Sequence, residues 1–354
     1  MPIAHYPLPT NNLQLMRYQF EFRPYQRRFI RPLATSHGTW DIREGIILCL
    51  RDETNIGWGE IAPISWFDSE TIEQALSFCR QLPTEITEET VFSIPDELPA
   101  CQFGFESALR GLGSGGKKNY SPCPLVPLSP CLPVLPSPSS LTYSALLPAG
   151  EAALEQWQTL WEEGYRTFKW KIGVYAIACE LKIFELLTQA LPPDAKLRLD
   201  ANGGLSYEDA NLWLWTCDNI QANQNRVSIE FIEQPLSVDQ FQRMLELSYF
   251  HQTKIALDES VATLKQLECC FKQGWRDIFV IKPGIVGSPS RLRQFCLDCK
   301  IDAVFSSVFE TEIGRQAALK LAAELSQHHR AVGFGVNHLL EQEKDNWLEN
   351  LWKF

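Results

Sequence analysis

The strongest constraint on the fold is a period. From Leu141 onward, apolar runs that read as strands alternate with stretches of helical spacing, and the runs end near Leu147, Lys171, Asp200, Glu233, Asp258, Lys282, Ser306 and Gly335. Successive ends are 24, 29, 33, 25, 24, 24 and 29 residues apart, close to the roughly 31 expected when about 250 residues make eight strand–helix units. Helical patterns fill the gaps at 150–163, 176–190, 207–219, 238–247, 262–272, 289–299 and 313–327. No further unit follows Gly335, so the spacing predicts a (β/α)7β TIM-like barrel over 141–335. The last segment, 336–354, is free to return to whatever precedes the barrel.

What precedes it is organised differently. Met16-Arg17-Tyr18-Gln19-Phe20-Glu21-Phe22 alternates like a strand, Ile46 to Leu50 is a continuous apolar run, and Gly57-Trp58-Gly59-Glu60-Ile61-Ala62-Pro63 reads as a third strand entering a loop. Between the first two lies a stretch without clear period, 27–38, expected to be a loop. Helical patterns open at Ser69-Glu70-Thr71 and span 103–112. Strands followed by helices predict a small α+β domain at 1–112. The Gly-, Ser- and Pro-rich stretch 113–140 reads as a connector. Its start overlaps a GxxxxGK string, Gly111 to Lys117, but Lys118 stands where a phosphate loop needs Ser or Thr, and the string follows a helix. Nucleotide binding is not expected there.

Barrel enzymes carry their chemistry where strands end. Lys171, Asp200, Glu233, Asp258 and Lys282 occupy those ends on five successive strands. One carboxylate at a strand end is commonly a cap for the next helix, a task that Glu259-Ser260 would take after Asp258. Three in register converge on one point, and crowded like charges need a cation. Oxygen ligands without His or Cys favour Mg²⁺, with Mn²⁺ possible. Glu230 has the opposite parity to Glu233 and is expected to face the helices. Lys169 shares the inward parity of Lys171. Lysines on both sides of a metal-bound carboxylate suit removal of the proton alpha to it. The amine that takes that proton must be uncharged, a form that neighbouring positive charge and desolvation favour.

Composition narrows the partners. A net charge of -11 argues against nucleic acid and anionic membranes, which need a basic face. A small carboxylate substrate remains compatible. The first residues lack a basic stretch followed by an apolar one, and no run approaches the roughly 18 apolar residues of a membrane span, so a cytoplasmic protein is expected. The 11 cysteines show no repeated spacing, and Cys296 and Cys299 fit one helix face better than a redox or metal motif.

These motifs resemble the enolase superfamily, in its muconate-lactonizing subgroup, and most closely the o-succinylbenzoate synthase family of menaquinone and phylloquinone biosynthesis. The resemblance is carried by Lys169-Trp170-Lys171, Asp200-Ala201-Asn202-Gly203, Ile232-Glu233-Gln234-Pro235, Leu257-Asp258-Glu259-Ser260 and Ile281-Lys282-Pro283, with 57–63 and 27–38 in the places of two lid loops, which implies that the α+β domain 1–112 is a capping domain over the site. It implies that Asp200, Glu233 and Asp258 bind Mg²⁺. Lys171 would start a syn dehydration of 2-succinyl-6-hydroxy-2,4-cyclohexadiene-1-carboxylate, and Lys282 would stabilise the developing charge. Arg198 and Asn202, inward like Asp200, are candidates for substrate or supporting contacts. Ser306 and Ser307 are candidates for substrate contact or for capping the next helix. N-succinylamino acid racemases use the same five residues, so racemisation stays open beside dehydration. Dipeptide epimerases usually carry Asp-x-Asp at strand eight, where this chain has Gly333-Phe334-Gly335. A non-catalytic barrel would be expected to lack one of the five, and none is missing.

Overall fold

The computed structural model describes residues 16–35, 38–112, 141–222, 227–341 and 347–353. The connector 113–140, with most of the GxxxxGK string, lies outside them. The amino-terminal part is a four-stranded antiparallel sheet of order β3-β2-β1-β4, built from β1 (Arg17–Thr35), β2 (Gly38–Arg51), β3 (Ile56–Ile61) and β4 (Glu85–Thr87). Its helices are α1 (Ile72–Gln81), α2 (Glu88–Phe92) and α3 (Pro99–Leu112). Thr71 and Gln74 close a reciprocal capping box at the start of α1. The stretch 27–35 is strand, where a loop was expected. It continues β1 against β2 past an irregularity between Arg28 and Leu33. Much of this arm is exposed, so no apolar alternation marks it in the sequence.

Helix α3 lies directly on β3. A Cβ on Gly57 would fall 1.9 Å from the Ala108 carbonyl oxygen, and one on Gly59 would fall 2.0 Å from that of Gly104. The Gly-x-Gly of β3 therefore sets how closely the helix sits, and the buried side chains of Tyr18, Phe20, Leu48, Ile61 and Phe105 complete this core.

The second part is a seven-stranded parallel sheet in sequence order: β5 (Ser144–Leu147), β6 (Thr167–Lys171), β7 (Lys196–Asp200), β8 (Ser228–Glu233), β9 (Ile255–Leu257), β10 (Ile278–Ile281) and β11 (Asp302–Phe305). The crossovers are α4 (Ala153–Glu162), α5 (Ile177–Ala190), α6 (Tyr207–Gln221), α7 (Phe241–Phe250), α8 (Leu264–Lys272) and, after the short α9 (Pro283–Val286), α10 (Pro289–Cys299). Helix α11 (Glu312–Leu325) follows β11. The eighth strand is reduced to Val332 and Gly333, which bridge in parallel to Tyr143 and Ser306. Those bridges join the sheet's two edges and complete the (β/α)7β ring.

Side-chain alternation sorts the barrel into two cores. Trp170, Leu199, Ile232, Leu257, Ile281 and Phe305 point outward into the large core shared with the helices. Phe231, Ala256, Ile278, Val280 and Val304 form a separate buried cluster, matching the inward parity of the rim residues. Below it sits an ionic network. Arg198 Nε donates to Glu230 at 2.6 Å, and Arg330 reaches Glu230 at 3.2 Å and Asp302 at 2.7 Å. Glu230 was expected to face the helices. The register between β7 and β8 shifts between Leu197 and Arg198, and this bulge turns Glu230 toward Arg198.

The carboxy-terminal segment crosses back to the amino-terminal sheet. Leu340 bridges to Phe29, and in α12 (Trp347–Leu351) and after it Trp347 meets Tyr25 while Trp352 packs edge-on against Trp58 at 4.8 Å. Cys296 and Cys299 both lie on α10, and the described cysteines are free thiols.

Candidate active site

The five strand-end residues occupy one mouth of the barrel. Lys171, Asp200 and Glu233 are neighbours in the ladder, Lys171 opposite Asp200 and Asp200 opposite Glu233. Asp258 and Lys282 each follow the last residue of their strands. Lys169, one inward position deeper, places its ammonium 2.7 Å from both Asp200 and Glu233. Burial opposes its charge, but Asp200, Glu233 and Asp258 together outweigh that and hold it well above the usual lysine range. On the far side Lys282 pairs with Asp258. The Lys171 side chain makes no hydrogen bond or ion pair among the described residues, so of the three lysines its amine is the one left uncommitted.

Burial is the first cause of the raised pKa values here. It lifts Glu233 to about 7, with Asp200 adding repulsion, and Asp258 to about 6 against the pull of Lys282. Glu259 is raised for the same reason, and its Oε2 is buried without a hydrogen-bond partner. Among the described residues no three acidic, His or Cys side chains close round one point, and Lys169 and Lys282 are paired to the carboxylates. Four crowded acids with one orphaned oxygen and all-oxygen donors nevertheless fit a hard divalent cation.

Residues that sequence reasoning missed hold these acids in place. Gln234 is fully buried with φ 37. Its Oε1 accepts from the backbone of Asp258 at 3.0 Å and Ser260 at 3.2 Å, while its Nε2 donates to Ser260 Oγ at 2.8 Å. It ties the end of β8 to that of β9. Glu180, in α5, accepts from three successive amides, Gly173, Val174 and Tyr175, at 2.8–2.9 Å, which fixes the chain leaving β6 beyond Lys171. Positive φ at Gln234 and a carboxylate seven residues from its loop leave no periodic trace.

The other candidates are placed as follows. Asn202, also at positive φ, donates to Glu259 at 3.2 Å and its amide to Asp200 at 3.1 Å. Arg198 lies beneath Asp200, committed to Glu230 and stacked over Phe231 at 4.9 Å. Ser307 donates to Glu310 at 2.9 Å and accepts from the Phe309 amide, while Ser306 lies 3.5 Å from the Gly333 carbonyl. Thr311, not either serine, caps α11. Similarly, α8 is capped by Thr263 with Gln266, and not by Glu259-Ser260.

Comparison with known proteins places this geometry. The family described as "Enolase C-terminal domain-like" matches residues 152–350, and "MenC, N-terminal domain" matches 28–112. An o-succinylbenzoate synthase of Thermosynechococcus vestitus is 40% identical over 326 residues, 91% of this chain and 93% of the relative. The chain belongs to the o-succinylbenzoate synthase family of the enolase superfamily. The family member of Haemophilus influenzae is 28% identical over 80% of this chain and 79% of its own. The crystal structure of o-succinylbenzoate synthase from Thermosynechococcus elongatus, with magnesium in its active site, superposes with a TM-score of 0.81 at 38% identity, covering 95% of this chain and 99% of that one. An N-succinyl Arg/Lys racemase from Bacillus cereus shares the fold at 17% identity and a TM-score of 0.71, covering 96% and 99% of the two chains. No helix among the described residues is long and apolar enough to cross a membrane.

Proposed function

We propose that this chain is an o-succinylbenzoate synthase that dehydrates 2-succinyl-6-hydroxy-2,4-cyclohexadiene-1-carboxylate to 2-succinylbenzoate, with Asp200, Glu233 and Asp258 holding Mg²⁺ in the cytoplasm. The observation that carries this reading is the asymmetry of the lysines. Lys169 and Lys282 are paired to carboxylates, while Lys171 stands at the rim uncommitted, on the strand beside Asp200. Bound Mg²⁺ would supply the positive charge that acidifies the proton alpha to the substrate carboxylate.

The chain's own residues do the rest. Lys171 takes the alpha proton and is placed to return it to the departing hydroxyl on the same face, which balances the loss of water and accounts for syn geometry. Lys282 faces the reacting carboxylate from across the mouth and offsets its growing negative charge. Lys169 sits between Asp200 and Glu233, 2.7 Å from each, and offsets their mutual repulsion. The buried inward layer beneath, Phe231, Ala256 and Val280, excludes water from below.

The test is direct. Purified protein with Mg²⁺ should convert the cyclohexadiene to the aromatic product, read by ultraviolet absorbance, and Lys171→Ala should abolish conversion with an unchanged circular dichroism spectrum. No absorbance change at saturating substrate defeats the reading. Deuterium uptake into N-succinyl amino acids with negligible dehydration would replace it by racemisation.

A further inference from the structure

The turn that follows the capping sheet brings an aromatic ring against the chemistry. After β3 the chain makes a short 3-10 turn, Ser65–Phe67, and the Phe67 ring centroid lies 4.0 Å from Lys282 Nζ. The Lys282 ammonium is therefore held between the Asp258 carboxylate and an aromatic face, with 11% of its side chain exposed.

The turn that presents Phe67 is built to stay put. The Phe67 amide donates to the Ile64 carbonyl at 2.8 Å, and the Ile64 amide donates to Ser69 Oγ at 2.7 Å. Asp68 takes a left-handed conformation, φ 53, and its carboxylate accepts from Gln266 Nε2 of α8 at 2.6 Å. Trp66 packs edge-on against Trp40 at 4.9 Å. One tether reaches the barrel and the other stays in the cap, so the ring's place over Lys282 is set from both sides.

We propose that Phe67 is a positioning residue for the reaction, acting through Lys282; the proposal rests on the dehydratase reading above. The negative face of the ring attracts the ammonium without neutralising it, whereas a second carboxylate would cancel the charge that the reaction needs. The ring also displaces water from Lys282, which strengthens its field at the reacting carboxylate. An aliphatic side chain of similar size supplies the dry cover but not the attraction, and this separates the two effects.

The experiment compares wild type, Phe67→Leu and Phe67→Tyr. Phe67→Leu is expected to lower kcat about tenfold, about 1.4 kcal/mol in the barrier, with KM within twofold and the melting temperature nearly unchanged. Phe67→Tyr, which keeps the ring, should stay within twofold of wild type. A readout that needs no turnover is the ¹H–¹³C spectrum of lysine-labelled protein, with the Lys282 ε-methylene signal assigned by its loss in Lys282→Arg. That signal should lie upfield in wild type and Phe67→Tyr and move back in Phe67→Leu. Wild-type kcat in Phe67→Leu, a rise in KM alone, or an unmoved Lys282 signal overturns the proposal. A wild-type protein without dehydratase activity instead defeats the function assigned above, and the spectra still decide whether the ring holds the lysine.

Discussion

Replacing Glu60 by Ala should loosen the capping domain from the barrel by a calculable amount. Glu60 ends the Gly57-Trp58-Gly59-Glu60 run of β3 and is 1% exposed. Its carboxylate accepts from Tyr25 Oη at 2.5 Å, from the Thr311 amide at 2.9 Å, from the Thr311 hydroxyl and from the Gly314 amide at 2.9 Å. Two of these donors are amides at the start of α11, those of its cap Thr311 and of Gly314 in its first turn, so a cap-domain carboxylate satisfies a barrel helix and meets its positive end. Gly314 leaves the room: a Cβ there would fall 2.8 Å from Glu60 Oε2. Truncation strands four buried donors. At about 1 kcal/mol each, the low end for an unsatisfied buried group, the loss is about 4 kcal/mol. An unfolding entropy of about 2.1 cal/mol/K per residue gives about 0.7 kcal/mol/K for the chain, so the melting temperature should fall by about 5 °C. Glu60→Gln keeps one accepting oxygen and should lose roughly half as much. Differential scanning calorimetry reads both. A Glu60→Ala protein melting within 1 °C of the parent would show that this contact does not hold the two parts together.

Other perturbations probe separate parts of the molecule. Lys320 on α11 is pushed down to about 8 by burial, against an ordinary 10.5; between those values the unfolded chain binds more protons, so stability rises with pH there. Lys320→Met should accordingly raise the melting temperature at pH 7, with the gain disappearing as pH nears 10.5. Asp200→Asn should abolish dehydration and also remove the rise in melting temperature that Mg²⁺ gives the parent, and an undiminished rise would take Asp200 out of the metal site. Gly59→Val should leave the cap unable to pack α3 on β3, seen as insoluble protein or loss of the cooperative transition, because its Cβ already collides with the Gly104 backbone.

The barrel was legible because its strands are short and apolar, and five of the seven end at or just before a charged residue. The first seven sequence-read ends coincide with, or lie one residue beyond, the ends of β5 to β11, while the eighth, Gly335, falls two residues past the bridge at Gly333. The ionic floor was not legible, since parity along β8 assumes an unbroken ladder and the bulge opposite Leu197 and Arg198 breaks it. The β1–β2 arm escaped because an exposed strand carries no apolar rhythm, and its pairing to β2 is a tertiary fact. At the site, residue type and spacing brought Lys171, Asp200, Glu233, Asp258 and Lys282 to one rim. They did not show which lysine is paired to which acid. That depends on reach across strands, as do Phe67 on Lys282 and Glu60 on Thr311, the latter 251 positions apart.

The abbreviated eighth strand gives the ring a weak link. Consecutive residues pair along the arc from β5 to β11, whereas Val332 and Gly333 contribute one isolated bridge to each edge. By pairing alone, those two joints are the weakest of the circumference, and breathing is expected there first. They flank the edge strands β5 and β11, and the five reacting positions lie on β6 to β10, the opposite arc. Opening at those joints would leave the strands that lead to Lys171 and Lys282 still paired through the arc between them.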